Sequence, residues 1–230
     1  MRSLPFYVLL SLAMTACMAG GGSAAEQTGG VRIENGPRLS APRATHQLVS
    51  TGKGQLLAIG GCVRAGCEVG PASATVDIID ASTMALSGTG HLLAGRIQPS
   101  AAALPDGRVL VLGGSDERDY GGKLRSVERF DLATERFVAA GNLADPRFKI
   151  ADGLLLLPGN RVLVAAGNSA SEIFDVADGT GTRLDYDLGG RWNYMTLVRA
   201  DAHTALLAGG YREGRIEPTD RSWIIHLSKG

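Results

Sequence analysis

The sequence predicts an all-β protein built from four similar units. Short apolar runs of five or six residues recur along its 230 residues without helical spacing, as expected for buried strands. In Ser100–Phe137, two such runs flank the turn pair Asp106-Gly107, and the second run ends at a glycine pair. This pair recurs at intervals of 53, 53 and 43 residues, at Gly60-Gly61, Gly113-Gly114, Ala166-Gly167 and Gly209-Gly210. A period of roughly 40–50 residues is typical of β-propeller blades.

Two further sequence features recur with nearly the same period as the glycine pairs. An arginine opens each unit 17, 17, 19 and 18 residues before the pair, at Arg43, Arg96, Arg147 and Arg191. A third strand-like segment follows each pair, at 75–80, 126–131, 171–175 and 222–227. The sequence therefore predicts about four blades of four antiparallel strands.

The second unit also carries an aromatic residue followed by aspartate, Phe130-Asp131, with another aromatic, Phe137, seven residues after the first. Together with the opening arginine and the Gly-Gly pair, this pattern resembles the kelch repeat family. The resemblance covers about residues 31–227 and departs from the pattern where Ile79 and Leu86 replace the aromatics. It implies a kelch-type β-propeller.

The fourth unit provides only three strand-like segments, ending with Ser222–Leu227. The unassigned segment Val31–Glu34 has the character of a strand, and we expect it to close the last blade as its outer strand. Kelch rings commonly have more than four blades, so an open partial ring and a pairing of two chains are the alternatives.

The N-terminus has the features of a signal peptide over residues 1–16, with one basic residue and a short apolar stretch. The sequence Met14-Thr15-Ala16-Cys17 resembles the lipobox of bacterial lipoproteins, which implies lipidation of Cys17. Residues 17–30 are small and polar and would form a flexible tether to a propeller domain at 31–230.

Residue 18 is Met rather than Asp, which by the same resemblance favours the outer membrane. The alternative is ordinary cleavage near Ala19 or Ala25 and release as a soluble periplasmic or secreted protein.

The charge balance argues against a nucleic-acid-binding protein, and the cysteines predict a disulfide. The 23 basic and 23 acidic side chains balance, so no field attracts nucleic acid. Cys62 and Cys67 lie in one long loop and are expected to form a disulfide in an oxidising compartment. No motif for a metal, a cofactor or a catalytic triad is found in the sequence.

Antiparallel strand order places the opening arginines on the same face as the long loops 61–74, 114–125 and 210–221. Arginine matches carboxylate, sulfate and phosphate groups, and tyrosine stacks on sugars or peptide groups. The predicted binding residues are Arg43, Arg96, Arg147, Arg191, Tyr120, Tyr211 and Arg212. The alternative interpretation is that the arginines bond to backbone carbonyls of neighbouring blades.

These observations predict an envelope-anchored, non-enzymatic propeller that presents a loop face to a protein or to an anionic glycan or peptide. The membrane is contacted through the lipid anchor alone. The alternative is an enzyme similar to the sugar-acid isomerising kelch proteins of the periplasm, with charged residues at the propeller mouth as acid and base.

Overall fold

The computed structural model describes residues 30–64, 67, 72–116 and 121–227 and consists of strands and turns. The predicted signal peptide, Cys17 and most of the predicted tether lie outside these residues, as does Tyr120. The chain forms two units, residues 1–35 and 36–230. In the described part of the chain, no helix is long and apolar enough to span a membrane.

The strands follow in the order β1 (Gln47–Ser50), β2 (Gln55–Ile59), β3 (Thr75–Asp80), β4 (Ala85–His91), β5 (Ser100–Ala103), β6 (Val109–Leu112), β7 (Leu124–Asp131), β8 (Arg136–Arg147), β9 (Leu154–Leu157), β10 (Arg161–Val164), β11 (Glu172–Asp175), β12 (Thr180–Arg183), β13 (Trp192–Asn193), β14 (Thr196–Arg199), β15 (Thr204–Ala208), β16 (Tyr211–Arg212) and β17 (Ser222–His226).

These strands form four antiparallel blades, which confirms the all-β propeller. The first blade is β1–β4, the second β5–β8, the third β9–β12, and the fourth β14, β15 and β17. One parallel pair, Thr180 with Asn142, joins the outer strands of the second and third blades into one hydrogen-bonded sheet. Strands β13 and β16 form a separate two-stranded ribbon.

The core lies between consecutive blades. Because side chains alternate across a strand, Leu57 and Ile59 of β2 face the second blade, where they pack with Val109 and Val111 of β6. A larger cluster continues from the second blade through the third to the fourth and includes Leu110, Phe174 and Leu197. Each blade thus stabilises the next by burying one apolar face.

The glycine pair that ends each second strand is required by close backbone contact. Gly113 and Gly114 have φ values of 59° and 90°, and a Cβ on Gly113 would lie 2.7 Å from the carbonyl oxygen of Arg147, at the end of β8 where the chain leaves for the next blade. Only glycine fits such a position without strain. Ala166 occupies the equivalent site in the third blade, where φ is not positive.

The aspartate of the repeat caps the turn between the third and fourth strands. Asp131 accepts hydrogen bonds from the backbone N–H groups of Ala133 and Thr134, and Asp80 does the same for Ser82 and Thr83. The hydrogen bonds from Ser82 and Thr83 lower the pKa of Asp80 to about 2. The motif therefore fixes a turn by local hydrogen bonding.

The predicted closing strand is not observed among the described residues. The fourth blade contains three strands, and in residues 31–35 only Val31 makes an isolated bridge. Val31 and Ile33 are 64% and 83% exposed, and Arg32 pairs with Glu34. Two apolar side chains among charged ones offer little buried area to stabilise an added strand.

The predicted disulfide is confirmed. Cys62 and Cys67 are joined, with their Cα atoms 5.4 Å apart. Cys62 is buried and packs with Ile97 and Phe148, so the bridge ties the first long loop to the neighbouring blades.

Candidate functional site

The opening arginines of the first three blades lie inside the fold. The side chains of Arg43, Arg96 and Arg147 have no exposed area. In each, one terminal nitrogen donates to the carbonyl oxygen of the first residue of the glycine pair, at 2.9 Å for Gly60 and 2.8 Å for Gly113. For Arg147 the acceptor is Ala166, at 2.7 Å. This bond explains why the arginine precedes the pair by a similar distance, 17, 17 and 19 residues, in these three blades.

Each buried arginine also meets a carboxylate on the third strand of its blade. The pairs are Arg43 with Asp77, Arg96 with Glu128 and Arg147 with Glu172. Burial lowers the pKa of the Arg96 and Arg147 guanidinium groups, and the facing carboxylates oppose that shift.

The carboxylates have a second role, because they hold the segment that enters the blade. Glu128 accepts hydrogen bonds from the backbone N–H groups of Leu93, at 2.7 Å, and Ala94, at 3.1 Å. Glu172 accepts one from Ala144 at 2.5 Å. The pairs are therefore structural, and they link consecutive blades.

The fourth blade has a different arrangement. The backbone N–H of Gly61 bonds to the carbonyl of Arg96, and that of Gly114 bonds to the carbonyl of Arg147, each at 2.9 Å. The corresponding N–H of Gly167 bonds to Trp192 at 2.7 Å. Trp192, rather than Arg191, therefore occupies the arginine position.

Strand pairing places a second tryptophan at the acidic position of this blade. Ala208 pairs with Ser222 as Leu112 pairs with Val127, so Trp223 corresponds to Glu128. The rings of Trp192 and Trp223 lie 6.0 Å apart, measured between centroids, and are tilted by 55°. An aromatic pair thus replaces the buried ion pair.

Because Trp192 fills the interior position, Arg191 points outward and its side chain is 62% exposed. It lines an open hollow together with Arg212, the residue paired with Trp192 across the ribbon. The backbone N–H of Glu213 bonds to the Arg191 carbonyl at 2.9 Å, which fixes the two loops together. The hollow is lined by Ser169, Asp187, Gly189, Gly190, Arg191, Arg212, Glu213 and Gly214.

Two carboxylates, Asp187 and Glu213, line the hollow with the two arginines, and Glu213 is already engaged. Glu213 lies 2.6 Å from the Lys123 ammonium and 3.9 Å from Arg191. No acidic group among the described residues forms a salt bridge with Arg212. Asp187 accepts a hydrogen bond from the backbone N–H of Gly189 at 2.8 Å, and the hollow presents this carboxylate and two guanidinium groups to solvent.

A lysine surrounded by aromatic rings adjoins this region. The Lys149 ammonium lies 2.9 Å from the Tyr211 hydroxyl and 5.0 to 5.8 Å from the ring centroids of Phe148, Tyr194 and Tyr211. Contacts with three rings hold this cation in place beside the ribbon. Its neighbour in the ribbon, Asn193, is fully buried, and both atoms of its amide lack a partner in the described part of the structure.

Comparison with known proteins agrees with this repeat geometry. Residues 98–143 match the family model described as the Kelch motif. Residues 98–143 therefore carry a kelch motif. The matched segment covers β5 to β7 and most of β8, which include the glycine pair Gly113-Gly114 and the capping Asp131, and it begins two residues after Arg96. No curated protein matches the chain. Kelch repeats commonly build β-propeller scaffolds for protein–protein interaction.

The kelch geometry corrects three of the predicted binding residues. Arg43, Arg96 and Arg147 are buried and bond to carbonyls and carboxylates of their own blades, whereas the alternative interpretation expected carbonyls of neighbouring blades. The structure instead brings Arg191, Tyr211 and Arg212 together beside the ribbon.

The long loops of this kelch propeller do lie side by side. The N–H of Ala72, in the first loop, bonds to the carbonyl of Asp116, in the second, at 2.8 Å. The second loop reaches the fourth blade through Lys123 and Glu213.

Sequence reasoning missed Trp192 and Lys149. Trp192 lies 17 residues before Gly209, the same spacing as in the first two units, whereas Arg191 lies 18 before it. Lys149 follows Arg147 by two residues, at a position where Thr45, Gln98 and Tyr194 also have positive φ. Spacing could have identified the tryptophan, but nothing in the sequence marks the lysine.

Proposed function

We propose that this kelch propeller is a non-enzymatic scaffold that binds an acidic segment of a protein partner at the hollow formed by Arg191 and Arg212. The observation that carries the proposal is the contrast between the blades. Three opening arginines are locked inside by carboxylates, whereas these two guanidinium groups face solvent in one hollow. A guanidinium matches the two oxygens of a carboxylate in a planar, bidentate contact.

The surroundings favour an extended acidic chain over a small substrate. The hollow is open, and its two guanidinium groups lie beside the ribbon. The ring of Tyr211 adds an apolar surface next to these charges. Such a surface suits a peptide with carboxylates spaced along it.

We further propose that the propeller is held at the bacterial envelope by lipid on Cys17, with the outer membrane as its site. The lipobox-like sequence before Cys17 and the small, polar residues after it support this proposal.

Binding of a labelled poly-Glu peptide, followed by fluorescence anisotropy, tests the acidic-segment proposal. We expect salt-dependent binding that weakens roughly ten-fold or more in Arg191→Gln or Arg212→Gln, because a hydrogen-bonded charge pair is lost. Arg215→Gln is the matched control, since Arg215 is exposed in the same loop but does not line the hollow.

A poly-Gln peptide of equal length serves as the ligand control. Equal binding of both peptides, or unchanged affinity in both arginine variants, would contradict the proposal. Loss of affinity in Arg215→Gln alone would place the site elsewhere on the loop.

A further inference from the structure

The fourth blade exposes an apolar row on the face that turns away from the third blade. Val198, Leu206 and Ile224 lie directly opposite one another across β14, β15 and β17. They are 58%, 43% and 67% exposed. An aligned row of three large apolar side chains on one sheet face is typical of an interaction surface.

The same position is buried in every preceding blade. Counting back from the glycine pair, Leu206 corresponds to Leu57, Leu110 and Leu163, which are 0%, 0% and 1% exposed because the next blade covers them. The glycine contacts also show that this face is covered in the second blade and uncovered in the fourth. A Cβ on Gly113 would strike the start of the next blade, whereas a Cβ on Gly209 would meet open space among the described residues. The face is built to receive another blade.

The first blade exposes the complementary face. Leu48 and Leu86 are 61% and 39% exposed and lie on the side of the sheet opposite Leu57. Strand register makes Leu48 equivalent to Leu197 of β14, which is 7% exposed because it packs on the third blade.

The contact between the third and fourth blades shows how the two kinds of face fit. Leu163 and Leu197 belong to one apolar cluster in that interface. Leu206 is the repeat equivalent of Leu163, and Leu48 is the equivalent of Leu197. The exposed faces of the last and first blades are therefore the two halves of an interface that the chain already uses.

From this equivalence we propose that two copies of the chain pair head to tail, with the last blade of each copy packed on the first blade of the other. A twofold axis makes both contacts identical, so the pairing closes after two chains and leaves neither face uncovered. The occupant is a second copy because this chain carries both complementary faces. The proposal does not depend on the acidic-segment site, which lies on the loops.

Sedimentation equilibrium of the full chain carrying Cys17→Ser, which removes the proposed lipid site, tests this pairing. We expect a mass twice that of one chain. Ile224→Glu or Leu48→Glu should raise the dimer dissociation constant by about 100-fold or more, because each of the two identical contacts would bury one copy of the new charge. Both residues are largely exposed in the single chain, so thermal unfolding of the monomeric variants should remain cooperative.

Ile216→Glu is the matched control, because Ile216 is 72% exposed but lies outside both faces. An equimolar mixture of Leu48→Glu and Ile224→Glu should recover dimers, since a mixed pair keeps one unaltered contact. A monomeric parent chain, or a dimer that survives either face variant, would overturn the proposal. Loss of the dimer in Ile216→Glu would likewise overturn it, by placing the contact on the loops.

Discussion

Single residues decide which arginines are structural and which are exposed. Arg96 lies in the interior because Glu128 and the carbonyls of Gly113 and Ser126 satisfy its donors. Arg191 is exposed because its neighbour Trp192 occupies the corresponding interior position. Arginine is therefore structural at the interior position of the repeat, and it is exposed when it lies one residue before that position.

The buried pair gives the first prediction. Glu128→Gln should destabilise the fold by about 3–5 kcal/mol, because it leaves the buried Arg96 cation without a counter-charge. Urea unfolding measures the loss. Glu34→Gln is the matched control, since the Arg32–Glu34 pair is exposed and should contribute about 0–1 kcal/mol. Equal effects of the two substitutions would contradict the structural role of the buried pair.

His46 gives a pH-dependent prediction. Burial lowers the pKa of His46 below its ordinary value of 6.5, and the nearby Arg43 adds to the shift, while Asp77 opposes it. The folded state therefore binds the proton less tightly than the unfolded chain. The stabilisation is present above about pH 6.5 and is lost as the pH falls through that value.

Urea unfolding of His46→Gln between about pH 7 and pH 5 tests this sign. The variant should lose less stability on acidification than the parent chain, because one linked protonation is removed. His203→Gln, at an exposed position, is the control and should follow the parent curve. A steeper loss in His46→Gln than in the parent would show the sign to be wrong.

At the level of the blade, two different kinds of residue pair fill the same interior position. The first three blades use an arginine and a carboxylate, and the fourth uses Trp192 and Trp223. Well-packed apolar residues often replace buried ion pairs without loss of stability, which explains why the fourth blade keeps the fold.

A double-mutant cycle tests this equivalence. Trp192→Arg alone should destabilise by several kcal/mol, of the order found when a buried charge lacks its partner. Adding Trp223→Glu restores the pair found in the other blades, so the double variant should be more stable than additivity predicts by about 1–3 kcal/mol. Chemical unfolding of all four proteins gives the coupling energy. Strict additivity would show that the two positions do not interact.

At the scale of the whole molecule, the proposed anchor makes a separate prediction. Intact mass of the mature protein from a bacterial host should show a diacyl or triacyl group on Cys17, because several acyl chains are needed for firm membrane attachment. Cys17→Ser should abolish the modification. An unmodified chain that begins downstream of Cys17 would contradict the anchor and favour release as a soluble protein.

The sequence by itself determined the repeat. Glycine pairs at positions that need positive φ, arginines at fixed distances and short apolar runs are local requirements, so they predicted four blades and their strands. The Cys62–Cys67 disulfide was predictable for the same reason, because the two cysteines lie close together in one loop.

Only the tertiary structure decided which residues face solvent. Whether Arg147 binds a ligand or a carbonyl depends on Glu172, which lies 25 residues away and approaches it only after the blade forms. The expected closing strand at 31–34 is not observed among the described residues for a related reason, since alternation predicts a strand but not a partner for it. The exposed faces of the first and last blades likewise follow from how the blades stack, which repeat spacing alone does not specify.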